Sequence, residues 1–131
     1  MELQVRSLEE EDFEHLDKWW YEWNGSVVDH DILPKTGFIA EHNSKPVSAI
    51  FMFKTNSNSA AIQWVVSDKN YREDNRNLIL KELIKACEDE WRKEGGKFLF
   101  FWGNIQSFNN NLKEIGFATG DTGYEQLIKK I

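Results

Sequence analysis

Cysteine is nearly absent from this chain. The one cysteine in 131 residues, Cys87, excludes an internal disulfide framework. With no histidine near it in sequence, it reads as a small core residue of the helix that carries it. Basic residues are in deficit, 16 Lys and Arg against 22 Asp and Glu, for a formal net charge of −6. Nucleic acid is held by basic surfaces, so no nucleic-acid partner is expected. No apolar run approaches the length of roughly eighteen residues that a membrane-spanning helix needs, and Met1 leads straight into a strand-like segment without a leader pattern. A cytoplasmic protein without a membrane partner is expected. His15, Asp29 and His30 lack the spacing of metal ligands, so no metal is expected.

What is abundant is apolar bulk. Hydrophobic residues make up 40% of the chain, with six Trp and nine Phe, enough to fill one core. The length suits a single domain over residues 1–131.

The opening LQVRSL reads as a strand. Ser7 and Glu10 then have the S-x-x-E spacing of a capping box, which predicts a helix from Leu8 to about Asn24 and Gly25. Phe13, Leu16, Trp20 and Trp23 step by three and four onto one face, with Trp19 at its edge. Residues 26–36, containing Pro34, read as a surface linker that borders a cleft. GFIAEH and VSAIFMFK flank Asn43, Ser44, Lys45 and Pro46 as a hairpin, and after the polar turn TNSNS the run AAIQWVVS continues the meander.

A long helix follows. Leu80, Leu83, Ile84, Cys87 and Trp91 recur at helical spacing up to the stop signal of Gly95 and Gly96. KFLFFW, residues 97–102, is apolar on both alternating faces and predicts a central, doubly covered strand. A short helix near Phe108 to Glu114, the pair Gly116 and Phe117, and a closing strand YEQLIKKI complete the order.

The stretch from Ala60 to Leu83 is the most telling. A strand that breaks into a charged turn and opens directly into a helix aims unpaired backbone N–H groups at one point, where an anion such as a pyrophosphate can sit.

In element order the whole chain resembles the GNAT (GCN5-related N-acetyltransferase) family. The resemblance is carried by VVSDKNYREDNRNLILKELI, KFLFFWGN and NNLKEIGF. It implies an α/β (α+β) fold of the acyl-CoA N-acyltransferase type, a mixed, mostly antiparallel sheet flanked by helices. It also implies transfer of an acetyl group from acetyl-CoA, as co-substrate, to a small-molecule or protein amine by direct attack in a ternary complex.

The family binds the coenzyme pyrophosphate with Q/R-x-x-G-x-G/A. Starting that motif at Arg72 puts Asn75 and Asn77 at the glycine positions, while starting at Tyr71 puts Asp74 and Arg76 there. Asn tolerates positive φ best among non-glycine residues, and Arg72 and Arg76 suit a phosphate. By the same resemblance the backbone of Trp64, Val65 and Val66 receives the pantetheine at a β-bulge, and Asn104 contacts the coenzyme.

Acetyl transfer to an amine needs a group to take a proton. Where many relatives carry Glu, this chain has Gln63, which can orient a water. Tyr124 is the candidate acid, since Leu112 stands where a Tyr is common. His30, between Asp29 and Asp31, is a candidate base or a contact for an acidic acceptor. Trp19, Trp20, Tyr21 and Trp23 cannot all face one core stripe, and suit the acceptor side of a cleft or a homodimer contact. The absent glycines and Glu leave an alternative open, an inactive GNAT-like module that binds coenzyme A or a protein.

Overall fold

The computed structural model describes residues 2–71, 75–103, 105–123 and 125–131. The chain divides into two compact units, Met1–Phe101 and Trp102–Ile131.

In the first unit β1 (Leu3–Ser7), α1 (Phe13–Asn24), β2 (Thr36–His42), β3 (Lys45–Lys54), β4 (Ser59–Ser67), α2 (Arg76–Lys93) and β5 (Phe98–Phe100) follow one another. The sheet order is β1-β2-β3-β4-β5. Neighbours from β1 to β4 are antiparallel, and β5 joins β4 in parallel. The β2–β3 turn is tighter than the four residues expected. Asn43 and Ser44 both take positive φ, 52° and 69°, the two-residue geometry that matches strand twist. Pro46 lies inside β3 opposite Glu41, where the register slips between Ala40 and Glu41 and the ladder can spare a donor.

Register partners share a face of the sheet, which sorts the core. Ile39, Ala49, Phe51 and Val66 pack against Leu16, Trp19 and Trp20 of α1. Ile50, Met52 and Ile62, buried on the opposite face, point to the α2 side, where Lys54 pairs with Glu90 and Glu94. The buried stripe of α2 is Ile79, Leu83, Ile84, Cys87 and Trp91, so Ile79 takes the place expected of Leu80. A Cβ on Gly96 would lie 2.1 Å from the Trp91 ring, which is why the helix stop needs glycine there.

The first helix starts later than its sequence implies. Leu8 N–H bonds Gly37 O and so still belongs to the sheet. Asp12, not Glu10, supplies the cap by accepting Glu9 N–H at 2.8 Å, and a 3-10 turn, Glu10–Asp12, leads into α1. The same carboxylate takes two bonds of 2.8 Å from Arg6, whose hydrogen bond holds the Asp12 carboxyl below its ordinary range. Trp19 is in the core at 2% exposed, whereas Trp23 is 54% exposed.

Among the described residues the apolar run KFLFFW forms only the short strand β5, at the end of the sheet and not its centre. Phe98 and Phe100 are exposed. A run apolar on both faces is consistent with burial but does not supply the neighbouring strand that burial requires.

The second unit holds α3 (Gln106–Glu114), after which Gly116 takes φ 105° and Phe117 N–H returns to Leu112 O. The closing strand expected of YEQLIKKI is absent from residues 125–131, where Leu127, Ile128 and Ile131 are exposed. Apolar composition makes a strand only where a partner edge pairs with it.

Candidate active site

Three of the expected coenzyme residues lie where β4 departs from regular pairing. Ala49 pairs with Val66 and Phe51 with Gln63, so the single residue Ile50 stands opposite two, Trp64 and Val65. That is a β-bulge. Trp64 takes φ 58°, a left-handed conformation that costs a bulky residue about 1–2 kcal/mol. Packing offsets the cost, because the Trp64 side chain lies against the α1-side core. Gln63 shares the face of Phe51, so it too is on the α1 side.

Beside the bulge the sheet opens. β5 pairs only with Ser59, Ala60 and Ala61, so residues 62–67 of β4 have no strand on that side among the described residues. Such an edge presents backbone donors and acceptors at strand spacing, to which an extended amide-bearing chain can bond.

β4 ends at Ser67, and a compact turn follows. Asp68 N–H donates to Val47 O, Asp68 Oδ1 accepts Asn70 N–H, and Tyr71 N–H donates to Asp68 O. The Tyr71 hydroxyl lies 3.0 Å from His42 Nδ1, with the two rings edge to face at 5.6 Å, and it donates to Asn75 Oδ1. Asn75 is the residue before α2, and its side chain makes no capping bond to the helix. Its φ is −90°, and neither it nor Asn77, inside α2, has the positive φ that favoured them as glycine substitutes. Arg76 is the first residue of α2. First-turn N–H groups have no partner within a helix and carry partial positive charge.

On the α1 side Trp20 stacks with Phe51 at 6.4 Å between centroids. Exposed Trp23 is nonetheless held, its Nε1–H donating to Ser67 O at 2.8 Å and the Lys69 ammonium lying 5.1 Å from its ring centroid. His30, in a 3-10 turn His30–Ile32, sits 2.8 Å from Asp17 Oδ1 and 4.6 Å from the Phe13 ring, which in turn meets Phe51 at 6.1 Å.

Gln63, Trp64, Val65 and Val66 are therefore consecutive on the bulged strand, and Asn75, Arg76 and Asn77 begin the helix that follows it. His30 is tied to their α1-side face through Phe13 and Phe51. Arg72 and Asp74, with the choice of motif register, and likewise Asn104 and Tyr124, lie outside the described residues. Among the described residues no group of His, Cys, Asp or Glu could hold a metal. Cys87 is buried in the core, where desolvation pushes its thiol up to about 12. Sequence reasoning missed His42 and Trp23 as neighbours of the turn, since each meets residues far along the chain and no local pattern announces it.

No protein-family model matches the sequence, and no curated protein does. Solved structures do match the fold. An acetyltransferase from Trypanosoma brucei superposes with a TM-score of 0.71 at 15% identity, over 97% of this chain and 100% of that one. An aminoglycoside acetyltransferase from an uncultured soil metagenomic sample gives 0.66 at 19%, over 98% and 96%. The fold is that of the GNAT acetyltransferases. An N-acetylglutamate synthase from Neisseria gonorrhoeae, complexed with coenzyme A and N-acetyl-glutamate, gives 0.69 at 15%, over 92% of this chain and 29% of its own length. The mixed five-stranded sheet with its helices matches the α/β fold of these acetyltransferases. No helix among the described residues is long and apolar enough to cross a membrane.

Proposed function

We propose that this chain is an acetyl-CoA-dependent N-acetyltransferase that acts on a small-molecule or protein amine by direct attack in a ternary complex. The observation that carries this is the bulge at Trp64 and Val65 beside the edge of β4 that has no strand among the described residues, with α2 the next helix along the chain. The residues present suit the co-substrate. The amides of a pantetheine arm match a free strand edge, and a pyrophosphate matches a helix start that opens with Arg76.

The acceptor enters on the α1 side, between the linker that carries His30 and the Gln63 face of the sheet. The neutral amine attacks the thioester carbonyl carbon, the carbon–sulfur bond breaks, and the sulfur leaves as the coenzyme thiolate. Gln63 cannot itself accept a proton at neutral pH, so its role is to hold the water that takes the proton from the attacking nitrogen.

Calorimetric titration with acetyl-CoA, followed by thiol release with a panel of aminoglycosides, amino acids and peptide amines, tests the proposal. Micromolar binding and turnover on at least one amine class are expected. No binding of acetyl-CoA overturns it, and binding without thiol release from any acceptor overturns the transfer step.

A further inference from the structure

One flank of α1 exposes large apolar side chains in the most acidic part of the chain. The His30–Asp17 contact of 2.8 Å lays the linker along the α1 ridge on which Asp17 and Tyr21 stand one turn apart. Val28 and Leu33, on either side of the linker's 3-10 turn, pack against the α1-side core. Phe13 touches His30 and also meets Phe51, the register partner of Gln63, so this flank borders the Gln63 face of the sheet. Tyr21 is 62% exposed there, Val27 57% and Ile32 43%.

Charge on the same flank has one sign. Residues 8–36 hold nine carboxylates against two lysines, a net of −7, where the whole chain carries −6. Asp12 is neutralised by Arg6 and Asp17 meets His30, whereas Glu14, Asp29 and Asp31 have no Lys, Arg or His partner among the described residues. Asp29 Oδ1 accepts Asp31 N–H at 3.0 Å, which fixes the two acids side by side without offsetting their charge. Exposed apolar groups interleaved with negative charge complement a partner that is apolar and positive.

We propose that this flank docks a basic polypeptide whose lysine is the acceptor amine. The proposal rests on the transfer reading above and narrows its acceptor. Asp29 and Asp31 face cationic residues beside the target lysine, and Tyr21, Val27 and Ile32 cover apolar ones. A small polyamine would answer the carboxylates and leave the three apolar side chains in water, so a peptide is the occupant. The lysine gives up one proton to become the neutral amine. A second leaves the attacking nitrogen as the carbon–sulfur bond breaks and the coenzyme departs as thiolate. The acetylated lysine has lost its charge, which weakens its hold on the flank and favours release.

Thiol release from acetyl-CoA is measured with three acceptors: a peptide with one lysine among arginines and leucines, the same peptide with glutamates for the arginines, and spermidine. Three exposed charge contacts of ordinary strength give the basic peptide a kcat/KM about thirty-fold above its acidic counterpart. In about 0.5 M salt the ratio should fall below about five. Asp29→Asn with Asp31→Asn keeps the side-chain acceptor for the residue 31 N–H and removes both charges. It should raise the KM for the basic peptide about ten-fold and leave the KM for acetyl-CoA as in wild type. Tyr21→Ser should raise the peptide KM about five-fold and not that for spermidine. Equal kcat/KM for the two peptides, or spermidine as the better acceptor, overturns the docking surface and leaves the transfer reading intact. Calorimetry with the basic peptide separates the reverse case. Binding that the double variant weakens, without thiol release from any acceptor, overturns transfer and leaves the docking.

Discussion

Replacing Asp12 by Ala removes three contacts at once, two bonds of 2.8 Å from Arg6 and one of 2.8 Å from Glu9 N–H. Breaking a fully buried pair costs about 3–5 kcal/mol. Asp12 is buried at 5% exposed, but the Arg6 side chain keeps about a third of its surface, and Glu41 remains 3.4 Å from it. The guanidinium can rehydrate and retain one partner, so the loss is discounted to about 2 kcal/mol, or a fall in melting temperature of roughly 8 °C for a chain of this size.

The pH dependence adds a sign. The Asp12 carboxyl is depressed in the folded state, first by the Arg6 hydrogen bond, so its contribution is complete above its unfolded-state value of roughly 4 and is lost as pH falls through the folded one. Urea unfolding of wild type and Asp12→Ala at pH 7 and near pH 2 measures both effects. The gap of about 2 kcal/mol at pH 7 should narrow as pH falls below the unfolded-state value, because the unfolded chain then takes up the proton first. A gap below about 0.5 kcal/mol at pH 7, the level of an ordinary surface substitution, would refute the reasoning. A gap that widens as the pH is lowered would do the same.

Leu83→Ala, at a side chain with no exposure in the face of α2 toward the sheet, is expected to cost about 3 kcal/mol in the same unfolding assay. Lys54→Met removes an ion pair to Glu90 and Glu94 whose members all keep solvent contact, so it should cost under about 1 kcal/mol, less still in high salt. Cys87 should resist a disulfide reagent at pH 8 in native protein and react promptly in denaturant, because burial and a thiol held near 12 leave little thiolate. Gln63→Leu should lower kcat about ten-fold or more with little change in the KM for acetyl-CoA, read by thiol release once an acceptor is found.

The sequence was most legible where one element decides its own pattern. The stripe along α2 needs only helical spacing, and Leu83, Ile84, Cys87 and Trp91 are buried as spaced. The β2–β3 pair follows from strand runs around turn residues, although Pro46 suggested a longer turn than the one formed. Failures came where tertiary partners choose. Arg6 pairs with Asp12, whose carboxylate accepts Glu9 N–H at the 3-10 turn before α1, and an acid six residues from its arginine looks no different in sequence from Glu10. KFLFFW could not reveal that it pairs with β4 through three residues only. The bulge was anticipated through the family resemblance, but neither periodicity nor composition marks Trp64 as left-handed, because a bulky residue there is held by packing and not by its own preference. The link from His42 to Tyr71 spans 29 positions, beyond any local signal.

The two-residue turn at Asn43 and Ser44 also bears on kinetics. It makes β2 and β3 the cheapest strand pair to bring together, whereas β4 and β5 meet only after residues 68–97 have been laid down between them. Folding is therefore expected to begin at that turn and to finish at the β4–β5 contact, with amide exchange slowest around Ile50 and fastest around Leu99. A ligand held along residues 62–67 of β4 needs that edge and the start of α2 both in place, so it would be gripped only late in folding. Its binding should then slow unfolding and leave the folding rate almost untouched.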